Sequence, residues 1–371
     1  MSRSKEIVSE LLSGAGIKLN GNSPYDIRVY NEKLYDRALS MKNLGLGEAY
    51  MQGWWDCQSL DEFFSRLLCA GLVDKVRGSW KLFLPVIKAV ILNLQSLGRS
   101  RVIAHRHYNL DNDLFFSFLD PYNQYSCAYF KGTDNLEQAQ INKMDLIIAK
   151  LDLTPSDHVL DIGFGWGGFA KYMAEKVGCD ITGVNISDEQ IHFARKDLKG
   201  LPIKIVNCDF REITGQFDKI VSVGMFEHVG YKNYRKFMEV VNKSLKKDGI
   251  FLLHTIGSNC SHINSDGWIN KYIFPNGMLP SIAQIARSVE GLFVIEDIHN
   301  LGAHYDKTLM AWNSNFQNAW FELSRRYDQE FKRMWEYYLL SCAGAFRARY
   351  NQLWQIVFSR PGCRPQPDRR M

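Results

Sequence analysis

The 371-residue sequence predicts an α/β fold: a Rossmann-like doubly wound sheet, with a smaller, mostly helical N-terminal domain before it. Three observations predict it. Short apolar runs alternate with amphipathic helical stretches from about residue 135 onward. A glycine-rich turn, Gly163-Phe164-Gly165-Trp166-Gly167-Gly168, follows the first of those runs. The first hundred residues instead read as helices and aromatic loops, with no visible catalytic constellation.

Each element can be justified in order. Met1 to Leu12 is charged and helical in pattern, with no secretory apolar core. Leu44-Gly45-Leu46-Gly47-Glu48 and Gly53-Trp54-Trp55-Asp56 read as turns. Asp61 opens an amphipathic helix with Phe63, Phe64, Leu67 and Leu68 on one face. Trp80 to Leu97 is strongly apolar but carries Pro85 and Lys88 near its middle. A central lysine costs about 2.5–3.5 kcal/mol on membrane insertion, so this stretch is expected to be a buried or interfacial helix and not a span. Gly98-Arg99-Ser100-Arg101 marks a linker. The expected division is therefore 1–97, a linker at 98–104, a catalytic domain at 105–360 and a disordered tail at 361–371.

In the catalytic domain, Leu136 to Leu151 is helical. Strands are expected at Val159–Ile162, Asp180–Val184, Ile203–Val206, Phe217–Val223 and Gly249–His254. Ser187 opens the helix after the second strand, with Asp188 and Glu189 in its first turn where the helix dipole favours acids. Tyr234 to Leu245 is the helix before the fifth strand. Such alternation places a ligand at the C-terminal ends of parallel strands.

The glycine turn narrows the ligand. Glycine is needed where backbone bends sharply and lies against a ligand with no Cβ between them. The spacing is Gly-x-Gly-x-Gly, not that of the dinucleotide fingerprint, and Asp161 stands two residues before Gly163. This favours S-adenosylmethionine (SAM), with Gly163, Gly165 and Gly167 packed against its amino-acid end. The alternative is a tight turn with no ligand. After the second strand, the amides of Asn185 and Gln190 stand where a ribose would be met. After the third, Asp209 can accept from an adenine amino group and Phe210 can cover its face. Polar residues after strands are also common caps.

Strands four and five end in Glu227-His228 and His254-Thr255-Ile256. Adjacent strand ends beside the SAM turn make Glu227, His228 and His254 an acid/base or anion-binding cluster. A buried Glu–His pair tying two loops together is the alternative. No metal is expected: His105, His107, Cys127 and His254 match no zinc spacing. The eight cysteines form no CxxC pair, which favours reduced thiols in a cytosolic protein. Scattered basic residues and a net charge of +5 give no nucleic-acid signature. Aromatic segments at 268–277, 305–312 and 352–360 are either ordinary core or the lining of a long apolar pocket.

Six ordered motifs carry a family resemblance. They are Tyr125-Ser126-Cys127-Ala128-Tyr129, the Asp161 to Gly167 turn, Gly224-Met225-Phe226-Glu227-His228-Val229, His254-Thr255-Ile256-Gly257, Tyr272-Ile273-Phe274-Pro275-Asn276-Gly277 and Gln352-Leu353-Trp354-Gln355. Together they resemble the bacterial cyclopropane-fatty-acyl-phospholipid synthases over nearly the whole chain. Phe164, Asn185 and Asp111 depart from the residues usual there (Cys, Thr and Gly). The resemblance implies the class I SAM-dependent methyltransferase fold and methylene transfer from SAM to the cis double bond of unsaturated acyl chains in membrane phospholipids. It adds Tyr125 and Ser126 to the SAM-binding residues. It implies a bound bicarbonate as base, with ligands at Cys127 (its backbone region), Glu227, His254, Ile256 (its N–H) and Tyr305. Tyr305 is also a candidate to face the cation. It further implies a homodimer, an N-terminal domain that helps dock to the bilayer, and a cytoplasmic protein on the inner face of the cell membrane. Competing expectations are a lipid C-methyltransferase with a different product, a soluble small-molecule methyltransferase, and a silent SAM- or lipid-binding module.

Overall fold

The structure is a computed structural model that describes residues 3–71, 112–263 and 265–363. The expected helix at Trp80–Leu97, the linker, His105, His107, Asp111 and the tail beyond residue 363 lie outside the described residues. Along the chain run α1 (Arg3–Ser13), β1 (Arg28–Val29), α2 (Lys33–Met51), β2 (Trp55–Asp56), α3 (Leu60–Cys69), α4 (Asn112–Phe116), α5 (Leu136–Leu151), β3 (His158–Ile162), α6 (Gly168–Lys176), β4 (Asp180–Asn185), α7 (Asp188–Asp197), β5 (Ile203–Asn207) and β6 (Phe217–Val223). Then follow α8 (Tyr234–Ser244), β7 (Leu245–Ser258), α9 (Gly267–Tyr272), α10 (Ile282–Val289), β8 (Val294–Asn300), α11 (Gly302–Leu323), α12 (Gln329–Arg347) and β9 (Asn351–Ser359). No described helix is long and apolar enough to cross a membrane.

The described residues form two compact units. The first combines residues 3–71 with 265–275 and 305–351. The sequence boundaries assign the last two segments to the catalytic domain, but packing groups them with the N-terminal helices. The cause is aromatic. Trp55, Phe63, Trp268 and Tyr337 are all fully buried, and Tyr337 lies 4.6 Å from Trp268 and 5.2 Å from Phe64, centroid to centroid. Such pairs add about 0.5–1.5 kcal/mol each beyond the area they bury. Two glycines make room: a Cβ at Gly47 would lie 2.4 Å from Trp268, and one at Gly344 would lie 2.4 Å from the Asp61 carbonyl. Leu44 to Glu48 is therefore helical, the last part of α2, and not the turn that its glycines suggested. The bend in α2 falls earlier, at Lys42 with φ 54°.

The second unit comprises residues 112–263, 276–304 and 352–363. It is built on a seven-stranded sheet of order β5-β4-β3-β6-β7-β9-β8. The pairs β5–β4, β4–β3, β3–β6 and β6–β7 are parallel, and β9 runs antiparallel to β8. Both faces are covered, as a parallel sheet requires. Phe237, Met238 and Val241 of α8 and Ile285 of α10 pack with Leu160, Phe251 and Ile356 in one core. Met144 and Ile147 of α5 and Phe169 and Met173 of α6 pack with Val159, Val221 and Val357 in the other. The five expected strands are present and pair in parallel, as expected. β8 and β9 extend the sheet beyond them.

Local signals set the helix starts. Asn135 caps α5 by accepting from the Gln138 N–H, and Ser187 caps α7 by accepting from Gln190. Each satisfies one of the four N–H groups that a helix start leaves unpaired.

Candidate active site

A cavity of about 170 Å³ opens at the C-terminal ends of β3, β4 and β6, where a single water would need only about 15 Å³. The glycine turn forms its floor. Gly163, Gly165 and Gly167 have φ of 84°, 59° and 88°, a region closed to most side chains. A Cβ at Gly163 would also lie 2.7 Å from Met225. Phe164 packs with Ile191 and Ala194 of α7 and with Leu198, which caps its end, against the open face of Gly183, where a Cβ would lie 2.9 Å from its ring. The departure at 164 is thus accommodated by a glycine on the neighbouring strand.

All ten sequence-predicted SAM residues except Gly167 line this cavity. Gly167 caps α6 immediately beside it. Asn185 is more occupied than its expected ribose role implies. Its Nδ2 donates to the Gly165 carbonyl at 3.1 Å and to Gln190 Oε1 at 2.8 Å, while its Oδ1 accepts from the Ile186 N–H at 2.8 Å. It therefore ties the glycine turn to the end of β4. Asp209 caps the turn after β5, accepting from the Arg211 N–H at 3.0 Å, and still borders the cavity. Asp161 is fully buried, and burial pushes its carboxyl up to about 7, opposed by the charge of Lys143.

The wall made by Asn123, Gln124, Tyr125 and Ser126 is held from behind by α5. Lys143 Nζ donates to Gln124 Oε1 at 2.6 Å and to Ser126 Oγ at 2.9 Å. Gln140 Nε2 donates to the carbonyls of Gln124 at 3.3 Å and Ser126 at 3.0 Å. Sequence reasoning missed both. The signal was available: Gln140, Lys143 and Lys150 share the buried stripe of α5 with Met144, Ile147 and Leu151, and polar residues in an apolar stripe must find partners.

Beside the cavity, β6 and β7 bring Glu227, His254 and Ile256 together. Val223 pairs with His254 across the strands. Glu227 Oε1 accepts from the Ile256 N–H at 2.7 Å, so that N–H is already engaged by the carboxylate. Glu227 Oε2 is buried with no hydrogen-bond partner among the described residues, and so is His254 Nε2. Burial raises the Glu227 carboxyl to about 7, against the backbone bond from Ile256. Burial, aided by the charges of Lys143 and Lys150, holds His254 well below 6.5 and therefore neutral. The Gln355 amide lies 3.3 Å from His254 Nδ1. If the amide NH2 donates there, the ring proton sits on Nε2, the unpartnered nitrogen. Gln355, part of the Gln352–Gln355 motif, was given no role by the sequence: it lies on β9, and only the fold brings it to His254.

His228 borders the cavity, and burial lowers it to about 4. Cys127 is fully buried, its Sγ 3.2 Å from the Ala128 carbonyl and 3.8 Å from that of Leu301. Tyr305 belongs to the first unit, where its ring packs 4.6 Å from Phe346 and 6.0 Å from Trp312. Among the described residues no His/Cys/Asp/Glu cluster could hold a metal ion.

The comparisons with known proteins agree with one another. The sequence model of the family described as mycolic acid cyclopropane synthetase matches residues 96–356. A cyclopropane-fatty-acyl-phospholipid synthase of Escherichia coli is 55% identical over 354 residues, which is 95% of this chain and 93% of that protein. A tuberculostearic acid methyltransferase of Mycobacterium tuberculosis is 33% identical over 344 residues, 86% of this chain and 79% of that one. A solved mycolic acid cyclopropane synthase, complexed with SAH and CTAB, superposes with a TM-score of 0.65 at 31% identity, covering 70% of this chain and 97% of its own. The sheet is that of the class I SAM-dependent methyltransferases, and the chain belongs to the mycolic acid cyclopropane synthetase family.

Proposed function

We propose that this chain is a SAM-dependent cyclopropane-fatty-acyl-phospholipid synthase, which adds a methylene group across the cis double bond of unsaturated acyl chains in membrane phospholipids. The cavity supports SAM as the donor: Gly163, Gly165 and Gly167 give close backbone approach, and Asn185, Gln190, Asp209 and Phe210 supply polar and aromatic edges. Bound there, SAM supplies an electrophilic methyl group. An isolated alkene is a weak nucleophile, so the chain's task is alignment and the exclusion of water. Aromatic faces can steady the resulting cation without attacking it.

The observation that carries the reading is the pair of orphaned buried atoms, Glu227 Oε2 and His254 Nε2. An acceptor and a donor left unmet in a buried site are costly, and one small anion with a hydroxyl and a free oxygen satisfies both. Bicarbonate has that donor set, and when bound it supplies the base that closes the ring. Glu227 and His254 orient it, and Gln355 fixes the histidine tautomer. The Ile256 N–H acts through Glu227 in this arrangement. The backbone of Cys127 and the hydroxyl of Tyr305 enter the ligand set on the resemblance alone. The same resemblance supports a homodimer, peripheral attachment to the inner face of the cell membrane, and docking through the N-terminal helices.

The test is incubation with SAM and liposomes of monounsaturated phospholipid, followed by fatty-acid mass analysis and proton NMR. The expected product gains one CH2 and shows high-field cyclopropane protons. A gain without those protons makes the protein a methylating or methylene-forming relative. A product gaining methyl and hydroxyl shows water capture of the cation. No lipid product refutes the proposal.

A further inference from the structure

Lys143 has no part in the chemistry above, yet it is buried completely. An ammonium in such a place carries a heavy desolvation cost, and burial lowers it to about 8. A methionine or leucine would fill the α5 stripe without that cost. What the lysine adds is a grip on one segment. Its two bonds reach Gln124 and Ser126, and Gln140, one turn earlier, takes the backbone carbonyls of the same two residues. Asp120 holds the approach to the segment, accepting from the N–H groups of Tyr122 at 2.9 Å and Gln124 at 2.8 Å. One end of this segment walls the SAM cavity. The other runs directly into Cys127. The lysine charge also acts on Asp161 at the cavity and on His254 at the orphaned pair.

We propose that Lys143 is a positioning residue that clamps the Gln124–Ser126 wall of the SAM cavity and so sets the affinity for the donor. The proposal rests on the reading of the cavity as a SAM site. It explains why the stripe keeps a cation: a neutral side chain cannot supply charge-assisted bonds to two acceptors at once. It also explains why the acceptors are side chains of the segment itself, since a clamp on them fixes the facing of Tyr125 between them.

The test uses the full chain and the unreactive probe S-adenosylhomocysteine, followed by calorimetry. In Lys143→Met the dissociation constant is expected to rise at least about tenfold, the loss that goes with a charged hydrogen bond. The SAM KM should rise more than kcat falls, and the melting temperature should stay within about 5 °C of wild type. A merely structural lysine would not separate affinity from stability in this way. An unchanged dissociation constant, or affinity and melting temperature falling together, overturns the proposal. If Lys143→Met does not fold, Gln140→Leu removes the other half of the clamp without touching the cavity. It should weaken the probe about threefold or more, and unchanged binding again overturns the clamp. Failure of the wild-type chain to bind the probe overturns the SAM reading itself, which is a separate result.

Discussion

Replacing Glu227 with glutamine tests the burial argument and the functional argument in one variant. The glutamine side chain would keep an oxygen for the Ile256 N–H, so the loop geometry survives, but it turns an unmet acceptor into a donor. The stability effect follows from linkage. Burial raises the folded carboxyl from 4.5 to about 7. Between those values the folded chain holds a proton that the unfolded chain has released, so the glutamate makes stability fall as pH rises through that window, and the loss is complete above it. At about 1.4 kcal/mol per pH unit, the penalty is about 3 kcal/mol at pH 8 and about 1 kcal/mol at pH 5. Glutamine does not titrate. Glu227→Gln should therefore melt higher than wild type at pH 8, by roughly 6–10 °C, and the gap should shrink by more than half at pH 5. Turnover should move the other way. Loss of a charge-assisted bond to the anion is worth about 1.5–3 kcal/mol, which is roughly a 10- to 150-fold loss in rate that added bicarbonate restores poorly. Scanning calorimetry at the two pH values and a lipid assay with titrated bicarbonate read both effects. Full activity in the variant refutes the role of Glu227, and a gap that does not change with pH refutes the burial reasoning.

Other outcomes follow from the same geometry. Gln355→Glu should accept a proton from His254 Nδ1 and move the ring to the other tautomer; nitrogen NMR of labelled histidine should show the change, together with a higher bicarbonate requirement. Gly163→Ala combines φ of 84° with a Cβ 2.7 Å from Met225, and should lower stability by about 1–3 kcal/mol and weaken SAM binding, as denaturant titration and calorimetry would read. Asn185→Ala removes the tie between the glycine turn and Gln190; the SAM KM should rise about tenfold with a smaller change in kcat.

How much of this could be read from the chain depends on where each constraint is local. The glycine turn, the cap at Ser187 and the five parallel strands were legible because their spacing and chemistry are set within ten residues. Glu227 and His254 were legible because strand ends in such a sheet face one side. β8 was not: Val294, Ile295 and Glu296 are exposed, so the strand lacks a clean alternation. β9 returns to the sheet only after two long helices, and Gln355 gains its meaning from a histidine a hundred residues earlier. Lys143 was given no role by the sequence, because its partners Gln124 and Ser126 lie on a separate segment that only the fold brings to α5. The aromatic segments at 268–277 and 305–312 left core and pocket open. Trp268 and Trp312 are fully buried in the first unit, which is the core role.

The three-segment make-up of the first unit has a consequence for synthesis. α3 packs on α12, and about 260 residues separate the end of one from the start of the other. At roughly 5–20 residues per second, Phe63 and Phe64 leave the ribosome roughly 10–50 s before their partner helix exists. During that interval Phe63 can meet Trp55, but Phe64 and the backbone beside it lack Tyr337 and Gly344, their partners on α12. A chain that ends before residue 329 lacks α12 altogether, so the first unit cannot complete its core until nearly the whole chain has been made.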